Sequence, residues 1–475
     1  MFEVAISRLG KILETHPWAG ELAGILPLSA LIDFMDLPRK LHVFELAGAV
    51  PFWSWPVTPA GSRLLLSSKH TQRDCCLDRY GSSVALTALD GCYGDQYIVS
   101  SPETVRMCIS SRETHTLPND HDNMAGENLK IQNLEIICIS RERKPERRFQ
   151  PSQSWLGRIL LDPWLAFSYQ YLLISTLGWI MLLGMIIMSG IFRCYLSLTF
   201  LIVIPVTGVV IFCLHGSTPR RLLVQEQSDY NRLVVVAEHM NATDWMVFYG
   251  ESTIVNSLLN RPLEPMGPRL SKSASAILRG ALRVLVLGQW GLAIGVAALK
   301  DWNAFFITFW IAFCIFSHAY LIAPPMSAND WMRSYANIKM ARYQTQLSSR
   351  RSLFNTIIAL NPDTFSWDNR MDQEDRTKFS EGAMRWIDPI LTRGSSRTKW
   401  EDATRTAMDE ALLRYSTESL VSPAWQDKDG EVLGFDWNDN YSREYWKSFI
   451  LEGIYMAAKI KEETRLFGRK VTKIV

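Results

Sequence analysis

The sequence predicts an α-helical membrane protein with four transmembrane helices in two hairpins, a cytosolic α+β domain and a helical C-terminal region. Three observations predict it. The first is a pair of apolar runs, 169–191 and 196–214, broken only around Arg193. Each is about 20 residues, enough at ~1.5 Å per residue to cross ~30 Å of hydrocarbon. The second is a like pair, 281–299 and 304–323, split by Lys300, Asp301, Trp302 and Asn303. The third is the placing of the basic residues. Arg141, Arg143, Lys144, Arg147, Arg148 and Arg158 precede the first run, and Arg220 and Arg221 follow the second. Arg269, Lys272 and Arg279 precede the third run, and Arg333, Lys339 and Arg342 follow the fourth, while the two hairpin loops hold only Arg193 and Lys300. Basic flanks stay in the cytosol, so both termini and the segment 218–279 are expected there.

Composition supports this and excludes other classes. Of 475 residues 48% are hydrophobic, an ordinary average, but the apolar residues are gathered in the four runs. A net charge of +2 and a pI of about 8.1 argue against nucleic acid as a partner. The eight cysteines form no CxxC pair, which fits a reduced, cytosolic setting and offers no zinc pattern. The first residues, MFEVAISRLGKILETHPW, are interrupted by Arg8, Lys11 and Glu14, so they do not read as a signal peptide and insertion is expected to start with the first transmembrane helix.

Residues 1–60 mix apolar runs with prolines and acids: Glu21, Pro27 and Asp33, then Glu45, Pro51 and Pro56. They are too interrupted to span a bilayer and read as amphipathic helix and loop on the cytosolic domain. The alternative is an interfacial element with Trp53 and Trp55 at the headgroups, so whether 18–57 touch the membrane stays open.

Within 61–165, SSVALTAL and DQYIVS flank the Asp90-Gly91 turn and predict a hairpin. SSPETVRMCI predicts a helix with Ser101 as N-cap and Pro102 at its first position, and LKIQNLEIICIS a strand, with RETHTLPNDHDNMAGEN between them as loop. Within 218–279, RLVVVAEHM and DWMVFYG predict two strands joined at Asn241-Ala242-Thr243, and ESTIVNSLLN a helix stopped by Pro262. The two segments share a faint strand–turn–helix echo (95–109 and 244–259), which predicts that they join one sheet. From 326 to 475 the chain reads as helical: Trp331, Tyr335 and Ile338 share one face, Lys399–Leu420 carries an apolar stripe opened by a Thr398/Glu401 capping box, and Arg443–Phe467 carries another.

In the bundle, Gly291-xxx-Gly295 and Ala293-xxx-Ala297 predict that the third helix is the most enclosed. Polar residues inside membrane helices are functional candidates by default; here they are Gln289, Thr207, Thr308, Ser317 and His318, with His215 ending the second helix. A His215/His318 metal or proton site lacks an acidic partner within the helices, and a neutral, hydrogen-bonded His318 is the simpler reading. Asn119–Asn123 clusters oxygen and imidazole groups but reads as a solvated turn, and Asp427–Val432 fails as a calcium loop because Trp425 would hold its first ligand position. Gly250–Thr253 opens a helix with one glycine, too few for a phosphate cradle. No nucleotide-binding, hydrolase or zinc-protease motif occurs, so no catalytic, cofactor or metal residue is assigned. Asn241 and Asn440 fit the glycosylation sequon, against the charge argument.

HMNATDWMVFYG, NSLLNRPLEP and LKDWNAFFITFWIAFCIF resemble uncharacterised multi-pass membrane proteins of filamentous fungi. The resemblance covers the middle third, rests on no catalytic motif and implies a membrane setting without a mechanism. Three functions fit: a non-enzymatic membrane protein whose cytosolic mass binds protein partners, a transporter or channel subunit working as an oligomer through Gln289 or His318, and a membrane enzyme using His121, Asp122 and His239. The first is expected, with the lipid bilayer and cytosolic proteins as partners, no nucleic acid, and oligomeric state open.

Overall fold

The computed structural model describes residues 11, 15–31, 37–57, 59–66, 75–80, 84–120, 130–142, 166–223, 227–266, 271–364, 382–414, 420–421 and 441–464. The N-terminal helices are α1 (Pro17–Leu31), α2 (Leu37–Ala47), α3 (Pro59–Leu66) and α4 (Cys76–Tyr80). The hairpin β1 (Thr87–Asp90) and β2 (Gln96–Ile98) leads to α5 (Pro102–Ser110), β3 (Thr114–Thr116) and β4 (Gln132–Arg141). The first two apolar helices are α6 (Tyr169–Ile191) and α7 (Tyr195–Ile211), the second prolonged by a π-helical turn to Gly216. After β5 (Arg220–Arg221) come β6 (Asn231–Ala237), β7 (Asp244–Glu251), α8 (Ser252–Leu259) and β8 (Glu264–Pro265). The second apolar pair is α9 (Lys272–Leu299) and α10 (Trp302–Phe316), again with a π-helical turn, to Leu321. The chain closes with α11 (Pro324–Trp331), β9 (Ile338–Leu347), α12 (Arg350–Leu360), α13 (Ser395–Arg414) and α14 (Tyr441–Thr464). The four apolar helices are long and apolar enough to cross a membrane.

One sheet of seven strands, ordered β2-β1-β6-β7-β4-β9-β3, collects strands from before, between and after the two apolar helix pairs. β4 runs parallel to β7 and antiparallel to the whole of β9, from Gln132 opposite Leu347 to Arg141 opposite Ile338. The echo between 95–109 and 244–259 takes the form of two hairpins, β1–β2 and β6–β7, joined through the antiparallel pair β1–β6; β2 and β7 do not touch. Both faces of the central strands β6, β7 and β4 are largely buried. Val234, Val236, Phe248, Ile137 and Ile139 pack toward α5, α8 and the bundle, whereas Leu233, Val235, Val247, Leu134 and Ile136 lie under α12 and α14. That is why Leu233-Val234-Val235-Val236-Ala237 is a continuous apolar run rather than an alternation. Gly250 is required in β7: a Cβ there would stand 2.1 Å from the Ile139 carbonyl oxygen.

Several expectations change. The helix expected through Trp331, Tyr335 and Ile338 holds for the first two and gives way to β9 at the third: helical turns stop at Ala336, Asn337 takes a left-handed φ of 54°, and an extended strand follows. β3 lies in the expected loop, paired with the edge of β9. The Thr398/Glu401 box does not form, since α13 starts at Ser395, Thr398 Oγ1 donates to the Gly394 carbonyl and Glu401 pairs with Arg397. Ser101 precedes α5 but its side chain caps nothing. The third apolar helix is not the most enclosed: half of the α7 window is buried against a third of that of α9 (50% and 33%), and Gly291 and Gly295 face open space. Helix α9 also begins at Lys272, before the apolar run, because Ser271 accepts the Ala274 N–H and caps an extra polar stretch.

The N-terminal region departs furthest from expectation. Helix α1 packs along α9 and α10, with Glu21 2.7 Å from Lys300 in the loop between them and Gly24 close against Ala297 and Lys300. Its first half therefore sits at the end of the bundle that carries this loop, opposite the sheet. Residues 51–57 turn inward between the apolar helices instead of lying on the sheet domain or at the headgroups.

On the far face of the sheet, α12 and α14 meet at Gly453, where a Cβ would clash with Asn355 at 2.4 Å. Beside it the fully buried Glu452 carboxylate accepts from Ser348 N–H (2.9 Å), Asn119 Nδ2 (2.7 Å) and the hydroxyls of Ser348 and Ser352. Replacing it with alanine strands these donors, each a costly loss in a dry site. Glu452→Ala is expected to lower stability by about 3 kcal/mol, read as the midpoint of chemical unfolding in detergent; an unchanged midpoint would show that water serves these donors equally well.

Candidate functional site

Three polar constellations stand out, and they lie at successive depths. The deepest is built around the segment Pro51–Val57, whose backbone is not helical apart from the short turn Phe52–Ser54. Irregular backbone inside an apolar bundle survives only if its N–H and C=O groups are paired. Gln289 of α9 does most of this. Its Oε1 accepts the Val57 N–H (2.9 Å), and its Nε2 donates to the Trp55 carbonyl (3.3 Å) and to Thr207 Oγ1 (2.9 Å). Trp290 Nε1 donates to the Val57 carbonyl (3.1 Å) and Trp53 Nε1 to the Ser175 carbonyl (3.1 Å). Ser54 donates to the Pro51 carbonyl, so its oxygen accepts from His318 Nε2 at 3.0 Å. Room comes from two glycines: a Cβ on Gly178 would meet the Trp53 ring at 2.1 Å, and one on Gly208 the Phe52 carbonyl oxygen at 2.4 Å. The prolines at 51 and 56 bring no N–H to satisfy.

The second constellation joins the bundle to the sheet. Glu45 of α2 is bridged by Arg79 of α4 (2.7 Å) and His215 (3.1 Å), at the end of the second apolar helix. Burial works to raise the Glu45 carboxyl, but the His215 hydrogen bond and charge, and then Arg79, outweigh it and hold it down to about 2. One turn earlier, His42 Nδ1 accepts the Leu77 N–H (3.1 Å). The neutral ring then carries its proton on Nε2 and donates it to Thr104 Oγ1 (3.1 Å), which donates to Asp78 (3.0 Å). Asp78 also takes the Glu103 N–H at the start of α5 (2.9 Å). Burial lowers the His42 pKa to about 4 against the pull of Glu45.

The third is a cavity of 530 Å³ at the end of the sheet. Its floor is Gln132 at the start of β4 and Asn241 in the β6–β7 turn; its walls are the first turns of α12 and α13 and the rings of Phe354, Trp400 and Trp446. Lys130, Arg350, Arg351 and Arg397 line it, and no Asp or Glu does among the described residues. Arg397 is neutralised by Asp388 and Glu401. The Arg350 guanidinium lies 5.7 Å from the Trp245 ring and 5.4 Å from that of Phe354, donating to Asn241 Oδ1 (3.0 Å) and to the Met240 carbonyl.

The residues singled out from the sequence are scattered among these places. Gln289, Thr207 and His318 meet at the inserted segment and serve its backbone and Ser54. His215 is held by Glu45 instead, so the two histidines have separate partners, and no group of three or more metal-ligating side chains occurs among the described residues. Asn119 serves Glu452, and Asp120 pairs with Lys459 (2.5 Å). His121, Asp122, Asp427–Val432 and Asn440 lie outside the described residues. Glu251 binds Arg141, Thr253 and the Ser228 N–H, which makes the Gly250–Thr253 turn a structural one. Sequence reasoning missed the pairing of Glu45 with Arg79 and the gathering of Gln132, Arg350 and Trp400, which no local spacing encodes. Compared with known proteins, the chain matches no family model, no curated protein and no solved structure.

Gln289→Leu leaves the Val57 N–H and the Trp55 carbonyl without partners and is expected to destabilise the detergent-solubilised protein by about 3 kcal/mol. A variant of unchanged melting temperature would refute this role. The pH dependence follows from His42. Its folded value lies below the ordinary 6.5, so the unfolded chain binds the proton more readily, and the associated stability is full above about 6.5 and lost as pH falls through about 4. Protonation would also set an Nδ1–H against the Leu77 N–H. Melting temperature is expected to fall between pH 6.5 and 4 and to fall less steeply in His42→Gln; parallel profiles would show that other groups drive the acid transition.

Proposed function

We propose that the chain is a polytopic integral membrane protein whose four apolar helices anchor a cytosolic sheet domain that works by binding. The observation that carries this reading is an asymmetry of mass and charge. The seven strands and α12–α14 lie at one end of the apolar helices, the end bearing Arg141, Arg220, Arg279 and Arg333; the other end carries Arg193, Lys300 and Asp301. Basic residues are retained in the cytosol. The bundle interior is filled by Trp53, Trp55 and Trp310, all fully buried, which favours an anchor over a conduit within one chain. The bilayer and soluble cytosolic proteins are the partners this reading implies, and the resemblance to fungal multi-pass proteins accords with it.

The reading assigns the two ends of the chain differently. The C-terminal region belongs with the sheet in the cytosol. The start of α1, tied to Lys300 at the other end of the bundle, belongs on the opposite side, so α1 runs through the bundle alongside the four apolar helices. This replaces a wholly cytosolic N-terminal region.

Protease protection on sealed microsomes, with one tag at each end of the chain, tests it. The C-terminal tag is expected to be digested and the N-terminal tag protected, with no glycan on Asn241 or Asn440. Digestion of both tags restores the two-cytosolic-termini arrangement, and a glycosylated Asn241 would invert the topology.

A further inference from the structure

The cavity at the end of the sheet has features that the anchoring role does not use. Three polar atoms of its lining are buried and lack hydrogen-bond partners: Trp400 Nε1, Arg350 Nε and Gln132 Oε1. Trp400 and Gln132 are each only 3% exposed. Buried donors and acceptors are almost always paired, and three orphans on one cavity mark a place where a bound molecule completes the bonding. Two are donors, beside Lys130 and Arg351, and among the described residues the lining supplies no carboxylate to oppose an incoming anion. Helices α12 and α13 both begin at the cavity, with Ser349 and Ser396 among its walls, so the positive ends of two helix dipoles add to the same field. The remaining surface is aromatic. Arg351 stacks within 5.3 Å of the Trp446 ring, and Trp400 faces Trp446 at 6.4 Å between centroids. The volume of 530 Å³ is that of a small-molecule site.

We propose that this cavity binds a soluble aromatic anion, a phosphate or carboxylate carried on a flat ring system, with Arg350, Trp400 Nε1 and Lys130 holding the anionic group and the Trp400, Trp446 and Phe354 side chains the ring. Gln132 Oε1 then accepts a hydrogen bond from a donor on the ring or its substituent. The position selects a soluble molecule over a lipid headgroup. Arg141 ends β4 next to the bundle, where Glu142 N–H bonds the Asn337 carbonyl, while Gln132 stands at the other end of a ten-residue strand. At ~3.3 Å per residue that is about 30 Å away from the apolar helices. The site does not depend on which side of the membrane the sheet faces.

The test uses the full-length protein in neutral phosphatidylcholine nanodiscs, titrated with 1-naphthyl phosphate, 1-naphthol and inorganic phosphate, and read by calorimetry and tryptophan fluorescence. Saturable binding of 1-naphthyl phosphate, weakened by salt and at least about tenfold tighter than either fragment, is the expected result. Trp400→Phe keeps an aromatic ring while removing the orphan N–H, and is expected to weaken binding severalfold with the protein still folded, as a cooperative melting transition shows. Lys130→Glu, on an exposed residue, is expected to weaken it about tenfold. Absence of saturable binding, equal binding of 1-naphthol, or full affinity in both variants would overturn the proposal. So would binding that appears only when anionic lipid replaces the neutral lipid.

Discussion

The structure depends on one constraint: a stretch of irregular backbone stands among apolar helices, and each of its polar groups must be met from within. The Gln289 carboxamide meets several at once, holding the Trp55 carbonyl, the Val57 N–H and the Thr207 hydroxyl. An amide suits this task because it offers donors and an acceptor without a charge to desolvate. Other features of the bundle follow from it. Gly178 and Gly208 are small because the Trp53 ring and the Phe52 backbone occupy the space their side chains would need. Helix α1 packs along α9 and α10, and α2 packs on α11 and the π-helical turn that ends α7.

From that point a continuous set of polar contacts leads outward to the sheet. Lys40 stands over the Trp55 ring at 4.3 Å, Glu45 one turn on is held by His215 and Arg79, and Asp78 beside Arg79 takes Thr104 and the first turn of α5. Removing one member of a buried pair leaves an uncompensated charge, which costs more than the pair contributes. The junction is therefore specific rather than merely adhesive: α2, α4, α5 and the end of α7 fit together in one arrangement.

Legibility in the sequence followed the range of the interaction. The four apolar helices were readable because hydropathy alone defines them, and their ends shifted only where a cap such as Ser271 intervened. β6 and β7 were readable because a strand dry on both faces is a run of valine, leucine and phenylalanine. β9 was not. Its residues Lys339, Arg342, Gln344 and Gln346 look like a solvated helix, and its strand identity rests on pairing with β4, some two hundred residues earlier in the chain. The place of Phe52-Trp53-Ser54-Trp55 stayed open for the same reason: the Trp55 carbonyl is answered by a residue 234 positions away. The sheet-end cavity draws Gln132, Asn241, Arg350 and Trp400 from separate regions, so no motif announces it.

The order of strands has a consequence for biosynthesis. β4 needs β7 on one edge and β9 on the other, and those partners emerge from the ribosome only after the first and then the second apolar pair. At ~5–20 residues per second, β4 waits on the order of ten seconds or more for β9. Through that interval Leu134, Ile136, Ile137 and Ile139 present open edges and apolar faces, the condition under which strands find wrong partners. The last strand to be translated among the described residues, β9, is also the one that seals both β4 and β3. Closure of the sheet thus follows synthesis of the last apolar helix, and a chain stalled between the two pairs keeps β4 unsealed on the edge that β9 would cover.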